Sequence, residues 1–273
     1  MRRIKLEIAY DGTRYKGWQR QEDVPSIQGT LEAVLKKITG EHVAVAGSGR
    51  TDAGVHALKQ VAAFKTTSPL TPNVLCRALN GFLPDDIRVV NAEEVPLSFH
   101  PIRDAVSKRY RYLIDDQRPF CPITRNYCWI FRSSLDVPTM QAAAEFLRGE
   151  HDFACFQSQG SPRATTVRTV SDVSVQRIPP SPLLPTLIQI EVEADGFLYN
   201  MMRTIAGTLV LFGVEGRKGQ FHLEKMAEII ASGNRSLAGP TAPPQGLYLV
   251  NVIYPHHQCC EDAISPAPPS FAS

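Results

Sequence analysis

The chain has 273 residues, of which 43% are hydrophobic and 21% are charged, with a formal net charge of +2. This composition is typical of a globular protein with a sizeable core, arranged as one large domain or two of ordinary size. The longest apolar run, over 205–214, is interrupted by Gly and Thr and is about half as long as a membrane span requires. Six cysteines form no Cys-x-x-Cys pair, which indicates reduced thiols in the cytosol rather than a disulfide framework. Strand-like sequence begins by Ile4, so no signal or transit peptide is expected.

The amino-terminal stretch predicts a strand followed by a basic loop. Residues 4–10 alternate apolar and polar side chains, as a half-buried strand does. The loop over 13–20 interleaves lysine and arginine with Tyr15 and Trp18, which we expect to be exposed. Cations next to aromatic rings suit RNA because they offer phosphate contacts and stacking surfaces together. The alternative is that Trp18 is a buried core anchor.

Basic residues are concentrated in two stretches although the net charge is small. Residues 1–20 contain six Lys and Arg against two acids, and residues 100–132 contain seven against three. Such a local excess can form a phosphate-binding surface on a nearly neutral protein. For either cluster taken singly, the alternative is a solvated strand face.

A helix that begins after Ser26 and ends at Gly40 leads into the strongest chemical pattern of the chain. Residues 45–57 read Val-Ala-Gly-Ser-Gly-Arg-Thr-Asp-Ala-Gly-Val-His-Ala, which predicts a strand, a tight glycine-containing loop and a second strand. The glycine spacing fits neither a Walker A loop, nor a dinucleotide fingerprint, nor a hydrolase nucleophile elbow. A metal site built on Asp52 and His56 is disfavoured because Arg50 would repel a divalent cation.

The loop holds one carboxylate, Asp52, near one cation, Arg50. Asp52 is a candidate nucleophile, because an ionised aspartate needs no general base, only a cation that keeps it ionised. An equally good alternative from the spacing alone is that Arg50 and Asp52 form a structural ion pair in a turn.

The next elements favour an α+β arrangement with a mixed sheet over βαβ winding. A short helix near 72–80 and a strand over 87–90 precede the string Arg109-Tyr110-Arg111-Tyr112. This string alternates as a strand does, so Tyr110 and Tyr112 share one face. Two ordinary strand tyrosines, one of them buried, are the alternative.

The carboxy-terminal half repeats strands with helices. After a crossover within 115–138 we predict a helix over 140–147, strands over 167–177 and 186–194, a buried helix from 202, a helix over 222–231 and a last strand over 246–254. Arg203 lies near the start of the buried helix and needs an anion, because a cation close to apolar surroundings is costly when unpaired. Asp195 is the nearest candidate along the sequence.

Five stretches in order resemble the TruA-type tRNA pseudouridine synthases, from about residue 4 to residue 255. The matching strings are Gly49-Arg-Thr-Asp-Ala-Gly-Val-His56, Tyr10-Asp-Gly-x-x-Tyr15-x-Gly17-Trp-Gln19, the Arg-Tyr-Arg-Tyr string, Met-Met-Arg203 and the last strand. The chain departs from the family at Pro101-Ile102-Arg103, where the arginine is displaced by one residue, and mildly at Thr204.

The resemblance implies an α+β fold in which two α/β halves share a mixed, mostly antiparallel sheet, with helices on one face and a central cleft. We assign residues 1–114 to the first half and 115–255 to the second. Residues 256–273 are predicted to be a disordered tail, which we favour over a metal site at the His and Cys residues of 256–260.

The resemblance also implies the reaction, which is the isomerisation of uridine to pseudouridine at positions 38, 39 or 40 of the tRNA anticodon stem-loop. It implies a cytoplasmic homodimer that uses neither metal nor organic cofactor and no membrane. The expected catalytic residues are Asp52 as nucleophile, Arg203 as its partner, Tyr110 against the uracil and Arg50 in the space left by the flipped base. Further candidates for substrate binding are Gln19, His56, Leu247, Lys108 and Arg109.

Two other functions are compatible with parts of the pattern. A non-catalytic tRNA chaperone could use the same fold, although the complete set of Arg50, Asp52, Tyr110 and Arg203 argues against it. A glycosidase with an aspartate nucleophile usually needs a second carboxylate as acid. No second acid accompanies Asp52 in its loop.

Overall fold

A computed structural model describes residues 1–158, 160, 165–182, 184–218 and 222–255. The helices in this part of the chain are α1 (Ile27–Thr39), α2 (Pro72–Phe82), α3 (Val137–Glu145), α4 (Met201–Arg217) and α5 (Glu224–Ser232). The strands are β1 (Arg2–Tyr10), β2 (Ala46–Gly47), β3 (His56–Thr66), β4 (Ile87–Val95), β5 (Ser107–Asp115), β6 (Trp129–Ile130), β7 (Gly149–Asp152), β8 (Val167–Ile178), β9 (Leu187–Ala194) and β10 (Leu247–Ile253). The predicted tail over 256–273 lies outside the described residues.

One mixed sheet contains all of these strands, in the order β4-β1-β3-β10-β5-β9-β8-β7, with β2 paired to β3 and β6 paired to β5. The β10–β3 and β5–β6 pairs are parallel, and the other pairs are antiparallel. The predicted α+β class with a mixed, mostly antiparallel sheet is therefore confirmed.

The last strand of the described chain joins the two halves of the sheet. β10 lies between β3 and β5, so the final strand is inserted next to the strand that follows the Asp52 loop. β5 pairs with β10 and β9, although the boundary at residue 114 assigned it to the first half. We therefore propose that the division between the halves falls between β4 and β5.

The two faces of the sheet differ in character. On one face, Ile4, Leu6 and Ile8 of β1 are fully buried, and Tyr10 continues their side of the strand. On the other face, lysine and arginine are paired with acids on neighbouring strands, as in Lys5–Glu93. The first face therefore forms the core, and the second is a charged surface.

Register pairs place one row of side chains across the core face at the centre of the sheet. Paired residues on adjacent strands share a face. The row is Tyr10, Ala57, Leu249, Tyr110 and Val192. The centre of the sheet therefore presents Tyr110 on the same side as the buried residues of β1.

The ends of the first helix are those that the sequence predicts. The Ser26 hydroxyl accepts a hydrogen bond from the Gly29 N–H at the start of α1, and Gly40 ends the helix at a φ of 75°. The other predicted helices also form, although α3 begins at Val137 rather than near residue 140, because Asp136 caps it.

The prediction that Tyr15 and Trp18 are exposed is wrong, since both side chains are buried. The Trp18 ring packs flat against the backbone of Gly47, where even a Cβ atom would come within 2.6 Å of the ring. The Tyr15 hydroxyl donates a hydrogen bond to Asp86 over 2.6 Å. The core-anchor alternative for Trp18 was therefore the correct one.

A close approach between α4 and the segment over 239–242 fixes the start of the last strand. The Gly239 N–H donates to the Thr208 hydroxyl over 2.8 Å, and the Ala242 N–H donates to the Arg203 carbonyl over 3.1 Å. At Gly207 a Cβ atom would lie 1.8 Å from the Pro240 carbonyl oxygen. Only glycine allows this contact between helix and backbone.

We predict that Gly207→Ala lowers the free energy of unfolding by about 1–3 kcal/mol or more, because the backbone at Pro240 must move to admit a methyl group. Gly81→Ala in α2 is the matched control, since nothing lies within 4 Å of the added Cβ there. That control is expected to be neutral or to gain about 0.5–1 kcal/mol from reduced chain entropy. Urea unfolding of both variants checks the prediction, and equal stabilities would contradict the packing argument.

Candidate active site

The centre of the site is an ion pair between a loop and a helix. Asp52 lies in the loop between β2 and β3, and Arg203 lies in the first turn of α4. The Arg203 Nη1 atom donates to Asp52 Oδ2 over 3.0 Å, with side chains 16% and 31% exposed respectively. The pair is therefore shielded from water on the arginine side and open enough on the aspartate side to meet a substrate.

The two alternative pairings that the sequence allowed do not occur. Arg50 is exposed, and no ion pair to Asp52 is found within the described ranges. The Asp195 carboxylate instead accepts a hydrogen bond from the Thr169 N–H over 3.1 Å. Asp52 is thus the anion that Arg203 requires.

Arg203 is held from two further directions. Its Nε–H donates to the Ala242 carbonyl over 2.8 Å, and its Nη1 also donates to Asn200 Oδ1 over 2.9 Å. Neither partner was predicted from the sequence. Ala242 accepts through its backbone carbonyl, which any residue type would provide. Asn200 is one polar residue before the helix, and its sequence position alone does not indicate a bond to Arg203.

The Asp52 loop is fastened to the amino-terminal basic loop. The Trp18 N–H donates to the Thr51 carbonyl over 3.0 Å, and the Tyr10 and Thr51 hydroxyls are 2.8 Å apart. Gly17 has a φ of +92°, and a Cβ atom there would lie 2.5 Å from the Thr51 carbonyl oxygen. Two stretches that resemble the same family at separate places in the sequence are therefore in direct contact.

Tyr110 lies in the row of side chains described above and is 8% exposed. Its ring meets Phe197 edge to face, with centroids 4.7 Å apart. Burial raises the pKa of the Tyr110 hydroxyl, with smaller contributions from Tyr10 and from the negative charge of Asp52. Tyr110 is therefore a neutral phenol beside the carboxylate.

Two further candidates lie on the same face as Tyr110. Leu247 is buried at the start of β10, where it pairs with Tyr112. The Lys108 Nζ atom donates to the Ser48 carbonyl at the start of the Asp52 loop over 2.7 Å. Lys108 and Leu247 are thus brought into the neighbourhood of the ion pair.

The structure does not bring Arg109 or Gln19 to the ion pair. Arg109 points to the charged face, where its Nη2 atom lies 2.7 Å from Glu193. The Gln19 amide donates to Gln28 Oε1 of α1 over 2.8 Å. The displaced Arg103 is exposed and bonds to Asp104.

His56 lies on the opposite face of the sheet from Tyr110. In the β10–β3 register it pairs with Tyr248, and the two rings stack with centroids 4.8 Å apart. Nδ1 accepts the Gly12 N–H over 3.1 Å and lies 3.2 Å from Asp11 Oδ1, and Nε2 lies 3.0 Å from the Asn126 carbonyl oxygen. His56 therefore ties β3 to two loops rather than facing Asp52.

Acids neutralise part of each basic cluster. In the first, the pairs are Arg2–Glu94, Lys5–Glu93, Arg14–Asp86 and Arg20–Glu32. In the second, Arg103, Arg109 and Arg111 are paired with Asp104, Glu193 and Glu191. Arg3 in the first cluster and Arg118 and Arg125 in the second donate to backbone carbonyls instead, so the strand-face alternative accounts only for the paired residues.

Within the described ranges no group of three or more His, Cys, Asp or Glu side chains is arranged to hold a metal ion. The cysteines in the same part of the chain, at 76, 121, 128 and 155, are free thiols. None of the helices described for this protein combines the length and the apolar character that a membrane span requires.

The fold and the site together define an α+β enzyme whose carboxylate–guanidinium pair lies where the two halves of one sheet meet. The sequence profile of the family described as tRNA pseudouridine synthase matches residues 7–103 and 143–255. The chain belongs to this family, and its members are isomerases that convert uridine to pseudouridine in tRNA.

Individual relatives agree with this assignment over almost the whole chain. A tRNA pseudouridine synthase A of Geotalea uraniireducens is 47% identical over 254 residues, which is 93% of this chain and 100% of the relative. The corresponding protein of Thermoanaerobacter sp. (strain X514) is 44% identical over the same shares. A tRNA pseudouridine synthase A 2 of Clostridium tetani is 42% identical over 93% of this chain and 99% of the relative.

The burial of His56 predicts a pH dependence of stability. Burial lowers the pKa of His56, and the nearby Asp11 charge opposes this shift without cancelling it. The unfolded chain therefore takes up a proton below about pH 6.5, where the native state does not, so the free energy of unfolding decreases as the pH falls through that range.

We predict that His56→Gln flattens this part of the stability curve, since the variant lacks the buried imidazole whose pKa is lowered in the native state. His42→Gln, at an exposed position, is the control and should keep the slope of the unmodified protein. Urea unfolding at several pH values between about 5 and about 8 provides the measurement. A slope that persists in His56→Gln would show that another group causes it.

Proposed function

We propose that this protein isomerises uridine to pseudouridine at positions 38, 39 or 40 of the tRNA anticodon stem-loop, with Asp52 as the nucleophile. The observation that carries the proposal is the pair of Asp52 and Arg203 next to the buried Tyr110. Arg203 places an opposite charge 3.0 Å from this carboxylate in a partly buried position, where an unpaired charge would be costly.

The reaction breaks the bond between uracil N1 and ribose C1′, turns the base, and joins uracil C5 to C1′, after which C5 loses its proton and N1 takes one up. Atoms and electrons balance within one nucleotide, so no oxidant, reductant or group donor is required. Asp52 forms a transient bond to the ribose or to the base and is regenerated as a carboxylate. We propose on this ground that neither metal nor organic cofactor takes part.

The target base must leave the helical stack before Asp52 can reach it, at a cost of roughly a few kcal/mol. Arg50 is suited to occupy the vacated space or to bind the neighbouring phosphate, because it is exposed two residues before Asp52. Lys108 stabilises the same loop through its hydrogen bond to the Ser48 carbonyl.

Tyr110 is placed to pack against the uracil while Asp52 reacts. Its raised pKa keeps the hydroxyl protonated at neutral pH. We therefore propose that Tyr110 contributes mainly the face or edge of its ring, and that its hydroxyl passes on the C5 proton only by exchanging it for its own. Leu247 is proposed to form an apolar wall of the same pocket.

We also propose that the protein acts as a cytoplasmic homodimer with the tRNA lying across both subunits. Because acids neutralise only part of each basic cluster, we expect RNA to be attracted by exposed cations outside the ion pairs, such as Arg50 near Asp52 and Arg118 and Arg125 after β5. Gln19, His56 and Arg109 remain candidates for substrate binding, although in this arrangement they lie away from the ion pair.

The primary test is pseudouridine mapping on unmodified tRNA with the unmodified protein, Asp52→Asn and Asp85→Asn. Asp52→Asn should abolish turnover and leave tRNA binding largely intact, because the amide is not a nucleophile but keeps the shape of the carboxylate. Asp85→Asn makes the same change at an exposed site and should remain active. Pseudouridine at other positions would keep the mechanism and change the substrate.

Two outcomes would count against the proposal. Turnover by Asp52→Asn would remove its role as nucleophile. If the protein without substitutions binds tRNA tightly but forms no pseudouridine, the non-catalytic chaperone is favoured instead.

A second test separates the two roles of Tyr110. If the ring contact dominates, Tyr110→Phe should keep kcat within about tenfold, whereas Tyr110→Leu should lose considerably more. If proton relay dominates, Tyr110→Phe should be nearly as impaired as Tyr110→Leu. Single-turnover kinetics with tRNA distinguishes these results.

A further inference from the structure

Asn200 has an unusual backbone conformation at the start of α4. Its φ is 61°, in the left-handed region that residues other than glycine seldom adopt. Among the described residues the only other non-glycine residue with a positive φ is Asp23. Such conformations persist where the surrounding structure imposes them, and they are concentrated at functional sites.

The side chain of Asn200 does not cap the helix that it precedes. An asparagine before a helix normally accepts a hydrogen bond from the second or third N–H of the helix. Asn200 makes no such bond. Its Oδ1 accepts from Arg203 Nη1 over 2.9 Å instead.

The other end of the amide is also engaged. Asn200 Nδ2 donates to the Ser158 hydroxyl oxygen over 3.0 Å, and the Ser158 N–H donates to the Tyr199 carbonyl over 3.1 Å. The amide is therefore held between Ser158, in the segment that follows β7, and the guanidinium of Arg203. Both of its polar groups have a defined partner, so the direction of Oδ1 is fixed.

We propose that Asn200 is a positioning residue that holds the Arg203 guanidinium in place for Asp52. This proposal rests on the proposed function. Arg203 Nη1 is shared by Asp52 Oδ2 and Asn200 Oδ1, and Nε is bound by the Ala242 carbonyl. Three acceptors on three separate segments thus fix one planar group.

The neutral amide has a specific advantage over a second carboxylate. When Asp52 forms its transient bond it loses its negative charge, and Arg203 loses its ionic partner at that moment. Asn200 and Ala242 remain as acceptors, so the guanidinium stays in position to stabilise the carboxylate as it leaves. A carboxylate at residue 200 would compete with Asp52 for the same cation and would disfavour its ionisation.

The test compares two substitutions that tolerate the left-handed conformation, Asn200→Gly and Asn200→Asp. Asn200→Gly removes the acceptor and should lower kcat roughly ten- to hundredfold, the usual effect of losing a hydrogen bond to a charged group, while KM for tRNA stays the same. Asn200→Asp keeps an acceptor and places a carboxylate at a helix N-terminus, which is not destabilising.

The pH profile of kcat/KM is the diagnostic measurement for Asn200→Asp. Its acid limb should move to higher pH, because two carboxylates compete for one guanidinium. The other titratable groups near the pair are the phenols of Tyr10, Tyr110 and Tyr112, whose pKa values are raised by burial, and the side chains of Lys108 and Arg50. None of these groups titrates on the acid limb.

Asp23→Gly is the control for the backbone effect of a glycine. It introduces glycine at the other described non-glycine residue with a positive φ, which lies in an exposed turn. It should keep the kcat of the unmodified protein. A wild-type kcat and an unmoved acid limb in both Asn200 variants would overturn the proposal. The proposal would also be overturned if the decrease in kcat were fully explained by a decrease in thermal stability while the acid limb of the pH profile did not move.

Hydrogen exchange measured without RNA tests the positioning role of Asn200 independently of the proposed reaction. The Arg203 Nε–H is protected from solvent exchange by its bond to the Ala242 carbonyl, and its NMR signal can be identified by its absence in Arg203→Lys. Exchange should be faster in Asn200→Gly and nearly unchanged in Asn200→Asp. Unchanged protection in Asn200→Gly would refute the positioning role, even if the protein made no pseudouridine.

Discussion

The site depends on the need to neutralise one partly buried cation. Arg203 projects from a helix whose other residues are mostly buried, so its charge must be met within the protein. Asp52 meets it from a loop 151 residues earlier in the chain. Exposed ion pairs on the sheet are worth about 0–1 kcal/mol each, whereas removing one partner of a shielded pair is considerably more costly. Losing either partner of the Asp52–Arg203 pair is therefore expected to cost more than losing a pair on the charged face.

The sheet makes this contact possible because β10 is inserted between β3 and β5. β3 follows the Asp52 loop directly, and the segment that leads into β10 supplies the Ala242 carbonyl to Arg203. Gly207 allows that segment to lie directly against α4. The same strand order places Tyr110 on the core face and turns His56 and Arg109 to the far side. One topological feature thus decides which candidate residues can meet the substrate.

Local features of the fold could be predicted from the sequence, and long-range ones could not. Alternation and capping gave β1, α1 and the strand of Tyr110, because these signals lie within a few residues of each other. The ion pair followed only from resemblance to a family, since spacing allowed Arg50 or Asp195 as partner equally well. Trp18 was placed on the surface because its burial depends on Gly47, which is distant in sequence. Asn200 could be found only from its φ and its bonds.

The charged face of the sheet explains how a protein with a net charge of +2 can contain two strongly basic stretches. Arginines of β5 face acids of β9 across the strands, so their charges cancel at short range. At physiological ionic strength, paired charges of this kind produce little field beyond about 8 Å. A phosphate backbone would therefore be attracted by exposed cations outside such pairs, among them Arg50 in the Asp52 loop and Arg118 and Arg125 after β5. The attraction for RNA is thus expected to come from loops rather than from the paired face of the sheet.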